Sequence, residues 1–478
     1  MKLSVINPPH DIMISYGSKR NRGKKFGYWP SFGVAVLAGG VRKLGWDIEY
    51  LDCPVIDYGV EEIVRHLEES KPDVIGISSL LATREQVGHL IKILDERFTA
   101  PIFLGGLLAT SFGESMMAEH PGLDFAVVGE AEQTIVEVLK KIERGDKLVG
   151  VRGLCYRNNE KIERGEPRPV LMNMDLTPSP DWSICDLSKY YPLPMMYKRH
   201  PVILYMASRG CPYGQCTFCF QSGSAAPIYR RHSPERVVKD MKDAVVKHGV
   251  REVAFWDDIF LVDEAWVLKF CELIRQEGLH KELVWQAYGY AGTLTRKMID
   301  AAAKAGCWNV YLGFESANQD ILDRVKKGIK VEQTAQAIKW VLDSGMDARG
   351  TFILSLPGES PAKAMNSVQF AIDNKISYVM FYPYFPEYGT PLYYELVQEG
   401  KILDDVYKGR GVAQYVPEGY KDAEEINETV RRAYRKFYLR PSYIAHRLSR
   451  IRTWEDITQH YNALQFVIGL AFKSGQPA

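Results

Sequence analysis

Three cysteines lie close together in the segment Cys211-Pro-Tyr-Gly-Gln-Cys216-Thr-Phe-Cys219. The segment follows the apolar run 202–206, which predicts a strand that ends just before the cysteines. Thiolates at this density are typical ligands of zinc or of an iron–sulfur cluster. A disulfide, or a group of buried thiols without chemistry, is the structural alternative.

The choice between zinc and iron depends on where a fourth ligand could come from. Zinc usually takes four Cys or His ligands that arrive as two pairs. No second pair follows here, because Cys271 and Cys307 each stand alone and His232 precedes a helix without a paired ligand. A [4Fe–4S] cluster held by three thiolates fits better, because it leaves one iron open for a ligand that is not protein.

Composition sets the broad class of the protein. The chain has 478 residues, 46% of them hydrophobic, with 60 basic and 59 acidic side chains. Such a balance predicts two or three globular domains and no electrostatic preference for nucleic acid. No apolar run reaches the roughly 18 residues needed to cross a bilayer, and the first residues read as a strand rather than a signal peptide. We therefore expect a cytoplasmic protein with reduced thiols.

The N-terminal region, residues 1–145, alternates strand and helix signals. Helical periodicity of apolar residues separates short apolar runs of the kind found in buried parallel strands. This pattern predicts an α/β fold with a doubly wound, Rossmann-like sheet, whose ligands bind at the carboxyl ends of the strands. The predicted strands are 3–6, 48–51, 74–77, 102–104 and 125–128.

Small and polar residues stand at those strand ends. Glycines there would permit close approach of a large flat ligand, or would only form tight strand–helix turns, and the sequence favours neither. The glycine pair lacks the Gly-x-Gly-x-x-Gly spacing of a dinucleotide site, which disfavours NAD. The candidate ligand-binding residues are Asn7, Ser78, Ser79, Leu80, Thr83, Gly105, Gly106, Gly129 and Glu130.

Residues 146–195 lose helical periodicity and predict a linker. A hairpin is expected around Asn158-Asn159, followed by a proline-containing strap that leads to the next domain.

Strand and helix signals alternate again over residues 196–395. Six strand–helix units predict a partial (β/α)6 barrel, with reactive groups at the carboxyl ends of its strands. The predicted strands are 202–206, 252–256, 283–287, 309–314, 350–354 and 377–382.

Polar residues follow several of these strands. The pair Asp257-Asp258 could bind a metal or a cation, act as acid and base, or cap a loop. Glu315 and Ser316 suit ribose hydroxyls, although Ser316 could simply cap a helix. Pro357 and Gly358 form a turn after the fifth strand. Tyr384 belongs to an aromatic stretch that either walls a substrate cavity or packs a loop.

The C-terminal region, residues 396–478, reads as charged helices. Residues 440–452 are basic and amphipathic, which is typical of a segment that contacts an anionic membrane or acidic partner, or of a solvated face over a core.

The cysteine segment resembles a known family. Arg209-Gly-Cys-Pro followed by Cys-Thr-Phe-Cys is similar to the cluster loop of radical S-adenosylmethionine (SAM) enzymes, specifically those with an N-terminal cobalamin-binding domain. The family usually has three residues between the first two cysteines, and this chain has four, of which Gly214 could absorb the extra residue. Ser78-x-Leu80 and Gly105-Gly106 match two marks of cobalamin domains. The third, a histidine motif, is replaced by Asn7-Pro-Pro-His-Asp11.

The resemblance implies roles for the residues already singled out. Cys211, Cys216 and Cys219 would hold a [4Fe–4S] cluster, and Phe218 would face the adenine of SAM. Asp257 and Asp258 would bind its amino group, Glu315 and Ser316 its ribose. Pro357 and Gly358 would lie near the adenine, in a turn where Ser355 replaces the family's first glycine. Cobalamin would bind without a protein histidine on cobalt.

The same resemblance implies a function. We expect a cobalamin-dependent radical SAM enzyme that methylates an unactivated carbon of a small-molecule or lipid-like substrate, with a flavodoxin or ferredoxin as electron donor. Radical oxidation, cyclisation or carbon–carbon coupling of an isoprenoid or tetrapyrrole is the alternative, as in the anaerobic magnesium-protoporphyrin ester cyclase. A non-enzymatic cobalamin- or metal-binding regulator is an alternative of another class. Relatives with greasy substrates carry similar helical tails, which allows peripheral membrane contact by the basic helices.

Overall fold

The computed structural model describes residues 1–10, 26–159, 161–223, 228–402, 415–449, 451 and 454–472. The chain divides into two compact units. The first comprises Met1–Ile12 and Pro30–Tyr190, and the second comprises Met13–Trp29 and Tyr191–Ala478.

The first unit is built on a seven-stranded sheet in the order β2-β1-β3-β4-β5-β6-β7. Its first five strands are parallel, and the last two form an antiparallel hairpin. The strands are β1 Lys2–Asn7, β2 Asp47–Asp52, β3 Val74–Ser79, β4 Ile102–Gly106, β5 Phe125–Val127, β6 Leu154–Asn158 and β7 Lys161–Arg164. The helices are α1 Phe32–Arg42, α2 Cys53–Ile56, α3 Val60–Ser70, α4 Arg84–Arg97, α5 Leu107–Glu119 and α6 Ala131–Arg144.

Both faces of this sheet are buried, as the continuous apolar strands predict. Side chains of α3, α4 and α5 pack on one face, and those of α1 and α6 pack on the other. The doubly wound prediction is therefore confirmed. The order 2-1-3-4-5 reverses between β1 and β3, and ligands of such sheets bind at the carboxyl ends beside that reversal.

The boundary predicted at residue 145 differs from the structure. The hairpin around Asn158-Asn159 forms, but β6 pairs with β5 and so extends the first sheet. The segment that follows also stays with the first unit as far as Tyr190. Most of the predicted linker is consequently part of the first domain.

The second unit contains a curled, six-stranded parallel sheet in the order β15-β14-β13-β12-β11-β8, and a separate two-stranded ribbon of β9 with β10. The consecutive strand order confirms the predicted partial barrel. The strands are β8 Val202–Tyr205, β9 Ser208–Arg209, β10 Arg230–Arg231, β11 Glu252–Phe255, β12 Val284–Gly289, β13 Cys307–Glu315, β14 Asp347–Leu354 and β15 Tyr378–Pro383.

Helices connect these strands, and several begin at residues with strong capping chemistry. Ser233 and Ser360 each accept a hydrogen bond from the backbone of the first turn and are followed by proline, which fits the first helical position. The helices are α7 Pro234–His248, α8 Glu264–Gln276, α9 Leu279–Glu282, α10 Arg296–Lys304, α11 Gln319–Arg324, α12 Val331–Asp343, α13 Pro361–Asp373 and α14 Pro391–Gln398.

The C-terminal region is helical, as predicted. It contains α15 Ala423–Tyr438, α16 Pro441–Leu448 and α17 Trp454–Phe472. Tyr434 and Tyr438 of α15 hydrogen-bond to the backbone of β15, so this helix is attached to the edge of the barrel sheet. Within the described residues, no helix combines the length and the apolar character required to traverse a bilayer.

Candidate active site

The cysteine segment leaves the carboxyl end of β8 and is held by the strand–helix connection after β13. Thr217 donates its backbone N–H to Val325 O, and Tyr213 Oη donates to Lys326 O at 2.7 Å. The Tyr213 ring also stacks on Tyr290, with ring centroids 5.2 Å apart. These contacts fix the loop against the segment that follows α11 and against Tyr290, which follows β12.

Gly214, the residue expected to absorb the longer spacing of the loop, has a left-handed backbone. Its φ is +56°, in the left-handed region that glycine adopts without steric cost. Its N–H lies 3.5 Å from Cys211 Sγ, and a Cβ here would lie 3.3 Å from Gln221 O. The longer spacing is therefore compatible with a compact loop.

The three thiols of the loop are protected to different degrees. Cys216 is buried, whereas Cys211 and Cys219 are half-buried. Burial raises the pKa of Cys216 to about 12 and the pKa of Cys219 to about 11. Binding to iron would therefore displace a proton from each thiol.

The donor set fits a cluster that uses one thiolate per iron ion. Three soft donors on one loop supply three corners of a [4Fe–4S] cluster, each on a different iron. A single zinc ion demands four donors around one point. Among the described residues no three Cys, His or carboxylate side chains are gathered to hold a single metal ion.

A buried ion pair beside these thiols was not predicted from the sequence. Lys327 Nζ donates to Glu315 Oε1 at 2.7 Å, and the two side chains are only 10% and 8% exposed. Burial alone would lower the pKa of Lys327, but the charges of Glu315 and Cys216 hold that pKa above its ordinary value. The loop thiols and Glu315, a predicted ribose ligand, therefore share one buried cation.

The two adjacent aspartates separate into different environments. Asp257 is fully buried and accepts hydrogen bonds from Ala207 N–H and Ser208 Oγ, so its carboxylate is used to join β11 to the end of β8. Burial raises the pKa of Asp257 to about 7. Asp258 is exposed and hydrogen-bonds to Gln221, beside the cluster loop. Asp258 is therefore the aspartate that can reach a ligand there.

Glu359, whose role was not predicted from the sequence, connects Ser316 to the turn after β14. Glu359 is fully buried and accepts from Leu356 N–H at 3.3 Å and from Ser316 Oγ at 3.5 Å. Ser316 Oγ in turn accepts the N–H of Asn318, the residue that caps α11. Burial raises the pKa of Glu359 to about 8, so the carboxyl holds a proton near neutral pH.

Two residues of the turn have left-handed backbone conformations. Gly358 has a φ of +83°, and Ser355, which stands where the family has glycine, has a φ of +72°. Pro357 lies between them, at the carboxyl end of β14. Phe218 is half-buried in the cluster loop. The structure thus places the predicted adenine-side residues in two loops of the same unit.

Tyr384 is buried after β15, and its hydroxyl has no hydrogen-bond partner among the described residues. Its ring packs edge-on against Tyr415, with centroids 5.9 Å apart. Burial raises the pKa of Tyr384. A buried hydroxyl without a partner is the kind of group that a bound ligand satisfies.

In the first unit, Ser78, Ser79, Leu80, Gly105 and Gly106 are neighbours at the carboxyl ends of β3 and β4, and we call this surface the shelf. Ser78 pairs with Gly105 and Ser79 with Gly106, and Ser79 Oγ donates to Gly105 O at 2.7 Å. Leu80 follows with 51% of its side chain exposed. An exposed apolar side chain beside two glycines provides a surface for a flat apolar ligand.

The glycines in and near this shelf differ in whether the backbone conformation requires glycine. Gly106 has a φ of +91°, and a Cβ there would lie 2.4 Å from Ser79 O, so the turn requires it. Gly129 has a φ of +82°. Gly105 has neither constraint, since a Cβ would make ordinary contacts of 3.8 and 3.9 Å. The tight-turn alternative therefore applies to Gly106, whereas the backbone does not require glycine at position 105.

Three further candidates of the first unit are engaged in local structure. Asn7 Nδ2 donates to Asp52 Oδ1 at 2.8 Å, which joins β1 to β2. Thr83 Oγ1 accepts from Leu80 N–H and donates to Leu80 O. Glu130 stands at the start of α6 and makes no capping bond from its side chain. Asp11 lies outside the described residues.

Comparisons with known proteins identify both units. Residues 22–139 match the B12 binding domain family, and residues 205–371 match the Radical SAM superfamily. An uncharacterized methyltransferase of Pyrococcus horikoshii is 30% identical, over 99% of this chain and 97% of its own length. The anaerobic magnesium-protoporphyrin IX monomethyl ester cyclase of Cereibacter sphaeroides is 25% identical, over 87% of this chain and 68% of its own.

A solved structure shares the fold of the whole chain. The cobalamin-dependent S-adenosylmethionine radical enzyme OxsB, with aqua-cobalamin and S-adenosylmethionine bound, superposes with a TM-score of 0.73 at 17% identity. The match covers 98% of this chain and 71% of that one. With its sequence matches at both units, the chain belongs to the radical SAM enzymes that carry a B12-binding domain, a family whose cofactors are cobalamin, SAM and a [4Fe–4S] cluster.

Proposed function

We propose that this enzyme is a C-methyltransferase that transfers a methyl group to an unactivated carbon of a small-molecule or lipid-like substrate. The observation that carries the proposal is the loop of three thiols beside the buried Lys327–Glu315 pair. When bound, the cluster and SAM supply a 5′-deoxyadenosyl radical, and cobalamin supplies a methyl carrier.

The residues of the barrel unit would bind and orient SAM. Asp258 is an exposed carboxylate beside the cluster loop, which suits the amino group of the methionine part. Lys327 is a buried cation beside the same loop, which suits its carboxylate. Glu315 and Ser316 would receive the ribose hydroxyls. Phe218 and the turn Pro357-Gly358 would enclose the adenine and exclude water from it.

The shelf of the first unit would bind the flat face of the corrin. Gly105 and Gly106 allow close approach, and Leu80 offers an apolar contact. Ser78, Ser79, Thr83, Gly129 and Glu130 would border the ligand. Cobalt would have no protein histidine as its lower ligand, because Asn7-Pro-Pro replaces the family's histidine motif.

The proposal is tested by anaerobic reconstitution of the full chain with iron, sulfide and cobalamin, followed by SAM and dithionite. The wild type should form 5′-deoxyadenosine, and Cys216→Ala should form none. Cys271→Ala is the matched control, because Cys271 is also buried but lies in α8, outside the loop of three thiols. Retention of SAM cleavage in Cys216→Ala, or bound zinc in place of iron, would refute the proposal.

Methylation and cyclisation give different products from SAM. A methyltransferase forms S-adenosylhomocysteine together with 5′-deoxyadenosine, whereas an oxidative cyclisation forms only the latter. The cyclase of Cereibacter sphaeroides shares 25% identity with this chain, so cyclisation or another radical oxidation is the second candidate. A substrate-dependent reaction without S-adenosylhomocysteine would favour it.

The proposal extends to partners and location. A flavodoxin or ferredoxin would donate the electron, and the near-neutral charge of the chain disfavours nucleic acid.

In the cytoplasm, the C-terminal helices would contact a membrane peripherally. Ile457, Tyr461, Leu464, Ile468 and Phe472 form an exposed apolar stripe on α17. Co-sedimentation with anionic phospholipid vesicles, lost in Ile468→Gln, tests this contact.

A further inference from the structure

A cavity of about 520 Å³ lies at the end of the barrel sheet opposite the cluster loop. Its lining includes Trp308, Asp347 and Tyr378, which stand at the amino ends of β13, β14 and β15. The cluster loop, Glu315 and the turn after β14 all follow carboxyl ends. The cavity is therefore separate from the SAM site, and its volume lies in the range of about 300–1,000 Å³ typical of small-molecule sites.

Two of the tyrosine hydroxyls in the cavity wall are bound to the backbone, which leaves their rings as apolar surface. Tyr438 Oη donates to Val379 O at 2.8 Å and accepts from Val379 N–H, and Tyr443 Oη donates to Ser377 O at 2.9 Å. The rings are held in place by these bonds. The faces and edges of these rings are therefore the surfaces that an occupant of the cavity would contact.

The charged groups of the lining are mostly cationic. Lys198, Arg199 and Arg447 are positive, and Asp347 is the one carboxylate among the described lining residues, so three positive charges and one negative leave +2. Arg447 is 91% buried, with its Nη1 3.9 Å from Asp347 Oδ1. His460 adds a titratable group. This balance favours an anionic group in or at the mouth of the cavity.

An apolar path leads into the cavity from outside. Ile444, Leu448 and Leu464 line the cavity and are also 42%, 60% and 49% exposed. Leu464 belongs to the exposed apolar stripe of α17. Exposed aliphatic side chains that continue into an apolar cavity let a hydrocarbon chain enter without desolvating polar groups.

We propose that this cavity binds one single-chain amphiphile, with its hydrocarbon chain between α16, α17 and the barrel and its carboxylate or phosphate head near Lys198 and Arg199. The proposal is independent of the reaction proposed above. Either a membrane lipid or a free acid could supply such a molecule.

The test is a calorimetric titration of the full, cofactor-loaded protein with monomeric alkyl carboxylates of 8 to 16 carbons, together with dodecyl phosphate and dodecanol. Affinity should increase about fourfold per methylene and then stop increasing when the cavity is full. Dodecanol should bind at least about tenfold more weakly than dodecanoate, because it lacks the charge. The absence of saturable binding, an increase without a plateau, or equal binding of dodecanol would overturn the proposal.

Matched variants separate the cavity from the surface. Ala463→Trp fills the cavity and should abolish binding, and Lys198→Gln should weaken anion binding about tenfold. Ile468→Gln changes the exposed stripe outside the lining and should leave monomer binding intact. A cooperative thermal transition near the wild-type temperature shows that each variant is folded. A single-chain membrane lipid is the source if lysophospholipid displaces bound dodecanoate, and a free acid is the source if it does not. Monomer binding lost in Ile468→Gln but kept in Ala463→Trp would contradict the cavity site.

Discussion

Gly105→Ala in the first unit should stabilise the apo-protein but weaken cobalamin binding, whereas Gly106→Ala should destabilise the fold. Gly105→Ala places a methyl group 3.8 Å from Phe103 Cε2 and 3.9 Å from Ile77 O, which are ordinary contacts. Alanine also loses less backbone entropy on folding than glycine, so the apo-protein should gain about 0.5 kcal/mol. The same methyl group would stand on the shelf proposed for the corrin.

The loss of cobalamin affinity follows from overpacking. An extra methyl group in a close-packed contact costs about 1–3 kcal/mol, which corresponds to a roughly 5- to 150-fold increase in the dissociation constant. Gly106→Ala is the matched variant. Its φ of +91° costs an L-residue about 1–2 kcal/mol, and the 2.4 Å approach to Ser79 O adds a backbone shift.

Absorbance titration with hydroxocobalamin and thermal melting of the apo-protein measure the two quantities separately. Gly105→Ala should melt at or above the wild-type temperature but bind cobalamin weakly. Gly106→Ala should melt roughly 2–8 °C lower. A wild-type dissociation constant in Gly105→Ala would refute the assignment of the shelf. A melting temperature as low as that of Gly106→Ala would show that Gly105 is needed for the fold.

Three further predictions concern the barrel unit. Lys327→Met leaves Glu315 buried without its cation, so the free energy of unfolding in denaturant should fall by about 3–5 kcal/mol. Adding Glu315→Gln should restore most of this free energy. An unchanged free energy of unfolding in the single variant would contradict the pairing. Glu359 binds its proton more tightly when folded, because its pKa is raised to about 8, so its contribution to stability falls as pH rises from about 4.5 to 8. Glu359→Gln should therefore gain stability relative to wild type over that window, by at most about 1.4 kcal/mol per pH unit in parallel melts, and a constant difference would refute this. Ser355→Gly should be about 1 kcal/mol more stable than Ser355→Ala, because φ is +72° there; the opposite order in melting experiments would exclude the left-handed backbone.

The sequence predicted the strands well because buried parallel strands produce a local signal. Each of the five strands expected in residues 1–145 and the six expected in residues 196–395 overlaps an observed strand. The domain boundary was missed because it depends on a non-local event. Nothing in the hairpin around Asn158-Asn159 shows that β6 will pair with β5 across a full helix.

Lys327 and Glu359 were missed for a different physical reason. Lys327 follows Val325-Lys326 at the end of α11, where basic residues normally face solvent and favour the helix C-terminus. Glu359 follows Pro357-Gly358, which reads as an exposed turn. Burial of a charged side chain is decided by what packs over it, and that information lies in distant segments.

Two residues of the candidate site have strained backbone conformations, and both lie at the ends of strands. Glu315 ends β13 with a φ of +60°, and Ser355 follows β14 with a φ of +72°. An L-residue in the left-handed region costs about 1–2 kcal/mol, and such residues persist only where neighbouring contacts compensate. Glu315 is held by Lys327, and Ser355 Oγ accepts from Tyr384 N–H at 3.0 Å. We expect a ligand at the carboxyl ends of β13 and β14 to meet the side chains and backbone of these two residues, which would give the strain and the proposed SAM site one origin.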